Sequence, residues 1–237
     1  MIFIDIGGHR GQALEVALNP KYGFSQYLVL EPSSGAFKFL QNFKDDKIKL
    51  YPFGLGSKQS QTYLYNSGTP GASIFRQKFK NVISEELVEI RKASDFLRPY
   101  LQNSKVFIRI NCEGSEIEII EDLLNSKLLK SSHSFLVDFD ILKITPTYEL
   151  DNFLGKLAKH DLKISRKPFG GGSTREQVIK WLDSELKNSI APVNVFSFFK
   201  YKLKLYLPLR QRFTKYFSFI PIKIRIRIFT FLKSHKL

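Results

Sequence analysis

Four side chains in the middle of the chain have the chemistry to orient a hydroxyl or take its proton. Asn111 and Glu113 lie in the run Arg109-Ile110-Asn111-Cys112-Glu113-Gly114-Ser115-Glu116, and Asp138 and Asp140 flank Phe139. General-base chemistry needs a carboxylate or imidazole within hydrogen-bond reach of the reacting hydroxyl. Asn111 is an amide, able to orient a hydroxyl but not to remove its proton at neutral pH. Asn also suits turns, so capping a loop is the competing role for it. Glu113 is the preferred polar contact to a bound molecule. Glu116 has the competing role of a first-turn carboxylate at the positive end of a helix dipole. Strand alternation puts Asp138 and Asp140 on one face, where two carboxylates share a proton, hold a divalent cation, or merely end a solvated strand. No His or Cys ligand is spaced nearby, so no metal site is expected. His9 and His133 titrate near neutrality and are further candidate bases. Cys112 fits packing better than nucleophilic attack.

These residues need a scaffold, and its centre is the first eleven residues. Ile2, Phe3, Ile4 and Ile6 make a short apolar run that suits a buried parallel strand. Gly7, Gly8 and Gly11 follow, and Gln12 to Leu18 reads as a helix. A strand ending in glycines before a helix lets backbone approach a ligand, with free N–H groups at the helix start. Glu31 closes a second apolar strand, Tyr27 to Leu30, where a carboxylate is placed to accept from ribose hydroxyls. The pattern predicts a nucleotide pocket. The glycine spacing departs from the dinucleotide fingerprint, which disfavours an NAD oxidoreductase.

Asp5, two residues before Gly7, gives an acid-x-Gly strand end that looks like the first motif of S-adenosylmethionine (SAM) methyltransferases. Further motifs follow in order. Glu31-Pro32 with Phe37, Leu40 and Asn42 resembles the E-P-x(n)-F-x-x-L-x-x-N run of the FkbM-type methyltransferase family. Phe53 to Ser57 is similar to that family's A-L-G-D turn, and Gly71 to Ile74 to its G-x-S-[LI] segment. Arg109 to Glu116 is similar to its K-I-D-V-E-G-A-E hallmark. The resemblance spans roughly Ile2 to Phe198, and ordered motifs are more specific than any one alone. It departs at Asn111, where the family has Asp, and at Asp138 and Asp140, where it has Glu and His.

The resemblance implies a Rossmann-like class I SAM methyltransferase fold and O-methylation of a sugar hydroxyl on a polysaccharide, glycolipid or related glycan. It implies that Asp5, Gly7, Gly8 and Gly11 bracket the methionine part of SAM and Glu31 its ribose. Gly54, Gly56 and Ser57 would flank the adenine, with Asn111, Glu113, Asp138 and Asp140 on the acceptor side. The changed acidic positions keep a non-catalytic SAM-binding or scaffold protein open as the alternative. A nucleic-acid methyltransferase ranks behind both, because no RNA-binding module is visible.

At 237 residues, 43% hydrophobic and 25% charged, the chain suits one sizeable core with length to spare. One cysteine excludes an internal disulfide framework and fits the cytosol. Asp5 interrupts the only N-terminal apolar run, so neither a signal peptide nor a transmembrane helix is expected. The net charge is +15, but eleven cations and no acid lie in 200–237, leaving only +4 for residues 1–199. Two parts follow: a methyltransferase-like domain, 1–199, and a basic tail, 200–237. Leu209, Phe213, Tyr216 and Phe217 share one helical face beyond Pro208, an apolar stripe flanked by cations that suits an anionic membrane surface. Packing of its aromatics on the domain or on a second copy, as a homo-oligomer, is the competing role. The chain thus reads as cytoplasmic, peripheral at the inner membrane face.

Elements expected between are helix Ser33 to Asn42, strand Ile48 to Phe53, and short strands Gln61 to Asn66 and Leu87 to Ile90. Helix Ser94 to Leu101, strand Lys105 to Ile110 and helix Ser115 to Leu124 come next. Strand Ser134 to Phe139, helix Thr147 to His160 and strand Leu162 to Ser165 follow. The last are a helix from Thr174 to Lys187, with Thr174 and Gln177 as a capping box, and strand Val193 to Phe198. The alternation predicts a mostly parallel doubly wound sheet.

Overall fold

The structure, a computed structural model, describes residues 1–145, 150–162, 164–166 and 172–186. The strand expected at Val193 to Phe198 and the basic tail lie outside the described residues. In chain order the elements are β1 (Ile2–Ile6), α1 (Gln12–Ala17), β2 (Gln26–Leu30), α2 (Ser34–Leu40), β3 (Ile48–Tyr51) and β4 (Gly54–Gly56). Then come β5 (Ser60–Tyr65), β6 (Glu85–Lys92), α3 (Ala93–Asn103), β7 (Val106–Ile110), α4 (Glu116–Asn125) and β8 (Ser134–Val137). α5 (Leu150–Ala158), β9 (Ile164–Arg166) and α6 (Thr174–Glu185) complete them.

Six strands form one sheet in the order β3-β2-β1-β7-β8-β9, every neighbouring pair parallel. Three of the four inner strands, β1, β7 and β8, are buried at every position, as expected of strands covered on both faces. Alternation divides them. Ile2, Ile4, Ile6, Ile108 and Ile110 join Leu97, Leu101, Ile117 and Ile120 of α3 and α4 in the main apolar core. On the other face Phe3 and Phe107 pack against Trp181 of α6, with ring centroids 6.4 and 5.9 Å apart. Trp181 needs a partner for its N–H when buried; its Nε1 donates to the Ser134 hydroxyl at 2.9 Å. This is a Rossmann-like α/β sheet, doubly wound, and its strand order reverses between β2-β1 and β7.

Local chemistry sets several boundaries. Ser33 caps α2, its hydroxyl accepting from the Ala36 N–H. The third strand stops at Tyr51, short of the expected Phe53, because Pro52 has no N–H for the ladder. The chain then starts a separate three-stranded sheet, β4-β6-β5, where β5 and β6 are antiparallel. The capping box of α6 lies one residue earlier than the sequence suggested. Ser173, in extended conformation, and Glu176 exchange the two bonds, while Gln177 is buried and donates to the Gly172 carbonyl. The strand expected through Phe139 ends at Val137, and a 3-10 turn begins at Asp140. Period-2 alternation therefore does not govern Asp138 and Asp140, and the shared strand face expected for them does not form.

Candidate functional site

The carboxyl ends of β1, β2 and β7 meet where the strand order reverses, the usual ligand crevice of an open α/β sheet. The turn after β1 is anchored there by the Gly7 and Gly8 N–H groups, both donating to the Leu30 carbonyl at 3.0 Å. Gly7 has φ of 81°, and a Cβ on it would stand 2.0 Å from the Asn111 carbonyl oxygen. Glycine is required here by the backbone of the β7 turn. A Cβ on Gly8 would stand 2.3 Å from Val29 Cγ1, inside the core. Gly11 is the N-cap residue of α1, against the Phe43 ring.

A cleft lies over this junction. One wall has Gly7, His9, Glu31, Pro32, Gly54 and Leu55. A second has Asn111, Cys112, Glu113 and Ser115, and the 66–84 connection between β5 and β6 adds Thr69, Pro70, Ala72 and Ile74. Leu64 and Ile90, inward-facing residues of β5 and β6, complete the apolar lining. Of the cofactor residues expected from sequence, Gly7, Glu31 and Gly54 line the cleft. Asp5, Gly8, Gly11, Gly56 and Ser57 are not among its lining residues. Asp5 is fully buried, paired with Arg109 at 2.7 Å. Gly56 packs against Ile90, and the Ser57 hydroxyl is turned to Glu118 on α4.

Glu31 is buried at the end of β2, and both its oxygens accept backbone N–H groups, from His9 at 2.7 Å and Ser33 at 2.8 Å. Burial pushes its carboxyl up to about 7 against those two bonds, with Asp5 and Glu86 adding to the rise. A carboxylate oxygen has a second lone pair, so each can accept one more donor from the cleft. His9 lines the same wall with φ of 47°. Burial, then Arg10 and Arg109, lower its pKa, which keeps the imidazole neutral at pH 7.

The acceptor-side residues separate into two kinds. Asn111 and Glu113 line the cleft, whereas Asp138 and Asp140 do not. With the Asn111 amide oriented to satisfy its neighbours, its nitrogen donates to Asp138 Oδ2 at 3.2 Å. Its oxygen accepts from Arg109 Nη2 at 3.0 Å. Asp138 thus stands directly behind the amide, and Arg109 and Asn111 form a relay from Asp5 to Asp138. Glu113, with φ of 57°, is ion-paired to Lys78, and its carbonyl accepts from the Ser73 hydroxyl at 2.7 Å. Asp140 is buried, close enough to Glu116 to raise its pKa. Glu116 is fully buried and pushed up to about 7 by that burial, against the bonds it accepts from the Gly114 and Cys112 N–H groups. Burial raises the Cys112 thiol well above its usual range, so it is a packing residue lining the cleft. His133 is buried behind α3 and its pKa lowered by burial, away from the cleft lining.

Two site features escaped sequence reasoning. Lys78 sits in a polar loop with no periodicity to mark it, and its partner is 35 residues away. Arg109 was legible as the basic residue of the hallmark run. Its role shows only in the strand register, which places it opposite Asp5. Among the described residues no group of His, Cys, Asp and Glu is arranged to hold a metal ion.

No family model matches the sequence, and no curated protein matches it. Among solved structures, the crystal structure of the methyltransferase FkbM from Methylobacillus flagellatus KT is similar. Its TM-score is 0.39 at 15% identity, over 77% of this chain and 36% of that one. The chain thus spans about a third of that protein's length.

Proposed function

We propose that the chain is a SAM-dependent O-methyltransferase acting on a sugar hydroxyl of a glycan or glycolipid. The observation carrying this reading is the Glu31 carboxylate, held at the end of β2 in the same cleft as the Gly7 turn and Asn111. Glu31 offers acceptors for ribose hydroxyls, and Pro32, Leu55, Leu64 and Ile90 offer apolar walls for a flat base. The acceptors and apolar walls of the cleft therefore suit the nucleoside of SAM. Bound SAM would supply an electrophilic methyl on its sulfonium.

The rest is for the chain's own residues to do. The Gly7 turn flanks the methionine part of SAM and Glu31 holds its ribose, while Asn111 and Glu113 face the acceptor. Deprotonating a sugar hydroxyl needs a base within reach, directly or through one water. Glu113 is the carboxylate on the cleft wall and is engaged by Lys78, whereas Asp138 lies outside the cleft lining, behind the Asn111 amide. The basic tail, 200–237, would bring this site to lipid-linked or membrane-assembled acceptors.

Titration calorimetry with SAM, S-adenosylhomocysteine and NAD tests the assignment. Binding of the first two and not of NAD is expected; the reverse would discard it. SAM binding without methyl transfer to any glycan tested would favour the non-catalytic alternative, which the amide at Asn111 also suggests.

A further inference from the structure

Glu116 begins α4, yet it is fully buried rather than set at the exposed start of a helix. Its Oε1 accepts two backbone N–H groups from the preceding loop, those of Cys112 and Gly114, each at 3.0 Å. Between these donors sits Glu113 with φ of 57°, and Gly114 follows with φ of 131°. A non-glycine residue at positive φ is uncommon and persists where its surroundings over-determine it. Here the loop is held from within by Glu116, with no room for a side chain at Gly114. A Cβ on Gly114 would stand 2.2 Å from Ile144 and 2.8 Å from Phe75.

The conformation has a consequence across the cleft. From this loop Glu113 reaches Lys78 with its carboxylate and Ser73 with its carbonyl, both on the 66–84 connection, which also lines the cleft. At the other end Asn111, adjacent to Cys112, keeps its amide between Arg109 and Asp138. We propose that Glu116 is a positioning residue of the cleft. Its Oε1 fixes the Cys112–Gly114 backbone so that Glu113 ties this loop to the 66–84 connection and Asn111 stays on Asp138. A dipole contact alone would leave the carboxylate exposed at the helix start and would not need one oxygen shared by two loop amides. The inference rests on the methyl-transfer reading only for its binding readout.

Amide hydrogen exchange by NMR on the full chain without ligand tests it, with calorimetry of S-adenosylhomocysteine alongside. Glu116→Met keeps the volume and removes the acceptor. Exchange at Cys112 and Gly114 should accelerate about 10- to 100-fold, the usual effect of losing bonds to a buried carboxylate. Core amides such as Ile108 and Leu28 should hold their rates, and S-adenosylhomocysteine affinity should fall about tenfold. Glu116→Gln retains an acceptor oxygen and should stay within about threefold of the natural chain in both measurements. If Glu116→Met does not fold, Glu116→Asp, which withdraws the oxygen by one carbon, should accelerate the same two amides. Unchanged protection in the Met or Asp variant overturns the proposal, as does acceleration spread evenly through the core, or a Gln variant that exchanges like Met. A natural chain that binds no S-adenosylhomocysteine would sink the methyl-transfer reading while leaving the exchange result to decide this one.

Discussion

Asp5 on β1 and Arg109 on β7 are direct register partners, and they form a buried ion pair with Arg109 Nη1 2.7 Å from Asp5 Oδ1. The pair couples the two strands whose ends carry the cleft. The same guanidinium also donates to the Gly7 carbonyl at 3.3 Å and to the Asn111 amide oxygen. One side chain therefore serves a core strand, the glycine turn and the acceptor wall.

Removing one partner of a buried pair leaves an uncompensated charge, which typically costs about 3–5 kcal/mol. Arg109→Met should destabilise the chain by that amount in urea denaturation. Asp5→Leu combined with Arg109→Leu should lie closer to the natural chain than either single change. Additive losses would mean that the pair is not coupled.

Gly8, against the core, and Glu31, on the cleft, separate stability from binding. Gly8→Val collides with Val29 and should lower the melting temperature, with or without ligand. Glu31→Ala, on the cleft wall, should weaken S-adenosylhomocysteine by about 1–3 kcal/mol, the cost of losing hydrogen bonds to a charged acceptor. A calorimetric affinity unchanged in Glu31→Ala would remove the ribose role.

Burial holds the Glu31 and Glu116 carboxyls at about 7, above the ordinary 4.5. Between those values the folded chain keeps protons that the unfolded chain releases. Their contribution is fully present below about pH 4.5 and is lost as pH rises through about 7. A displacement of this size amounts to roughly 3 kcal/mol per group at most. Glu31→Gln or Glu116→Gln should flatten the fall in urea stability between pH 5 and 7. An identical slope in both variants would refute it.

Asn111→Asp would set a second carboxylate about 3.2 Å from Asp138, beside Arg109. Two such groups raise one apparent pKa of the pair. The acidic limb of the methyl-transfer pH profile should move upward by about one unit or more, and a profile that stays in place would take Asp138 out of the chemistry.

The tail carries eleven Lys and Arg and eight Phe and Tyr within 200–237. Each surface cation near anionic lipid is worth about 1 kcal/mol. The full chain should co-sediment with anionic vesicles and not with neutral ones, and a chain ending at Phe199 should lose the difference. Binding retained without the tail would place the membrane contact elsewhere, or remove it.

Much of the scaffold was legible in local sequence. Apolar runs at Ile2 to Ile6, Tyr27 to Leu30 and Lys105 to Ile110 announce buried parallel strands because both faces must be apolar. The Gly7 turn and Glu31 were legible because strand–glycine–helix and a strand-end acid are local patterns. What the glycines make room for was not. Gly7 yields to the Asn111 carbonyl and Gly8 to Val29, contacts set by strand order and register. The same holds for Asp5, whose partner Arg109 is 104 residues away, and for Glu113, claimed by Lys78. Asp138 and Asp140 were misjudged as one strand face because the strand ends at Val137, beyond what alternation can tell. Periodicity reports which face of an element is buried; only tertiary packing decides which charged group meets which, since those partners lie far apart along the chain.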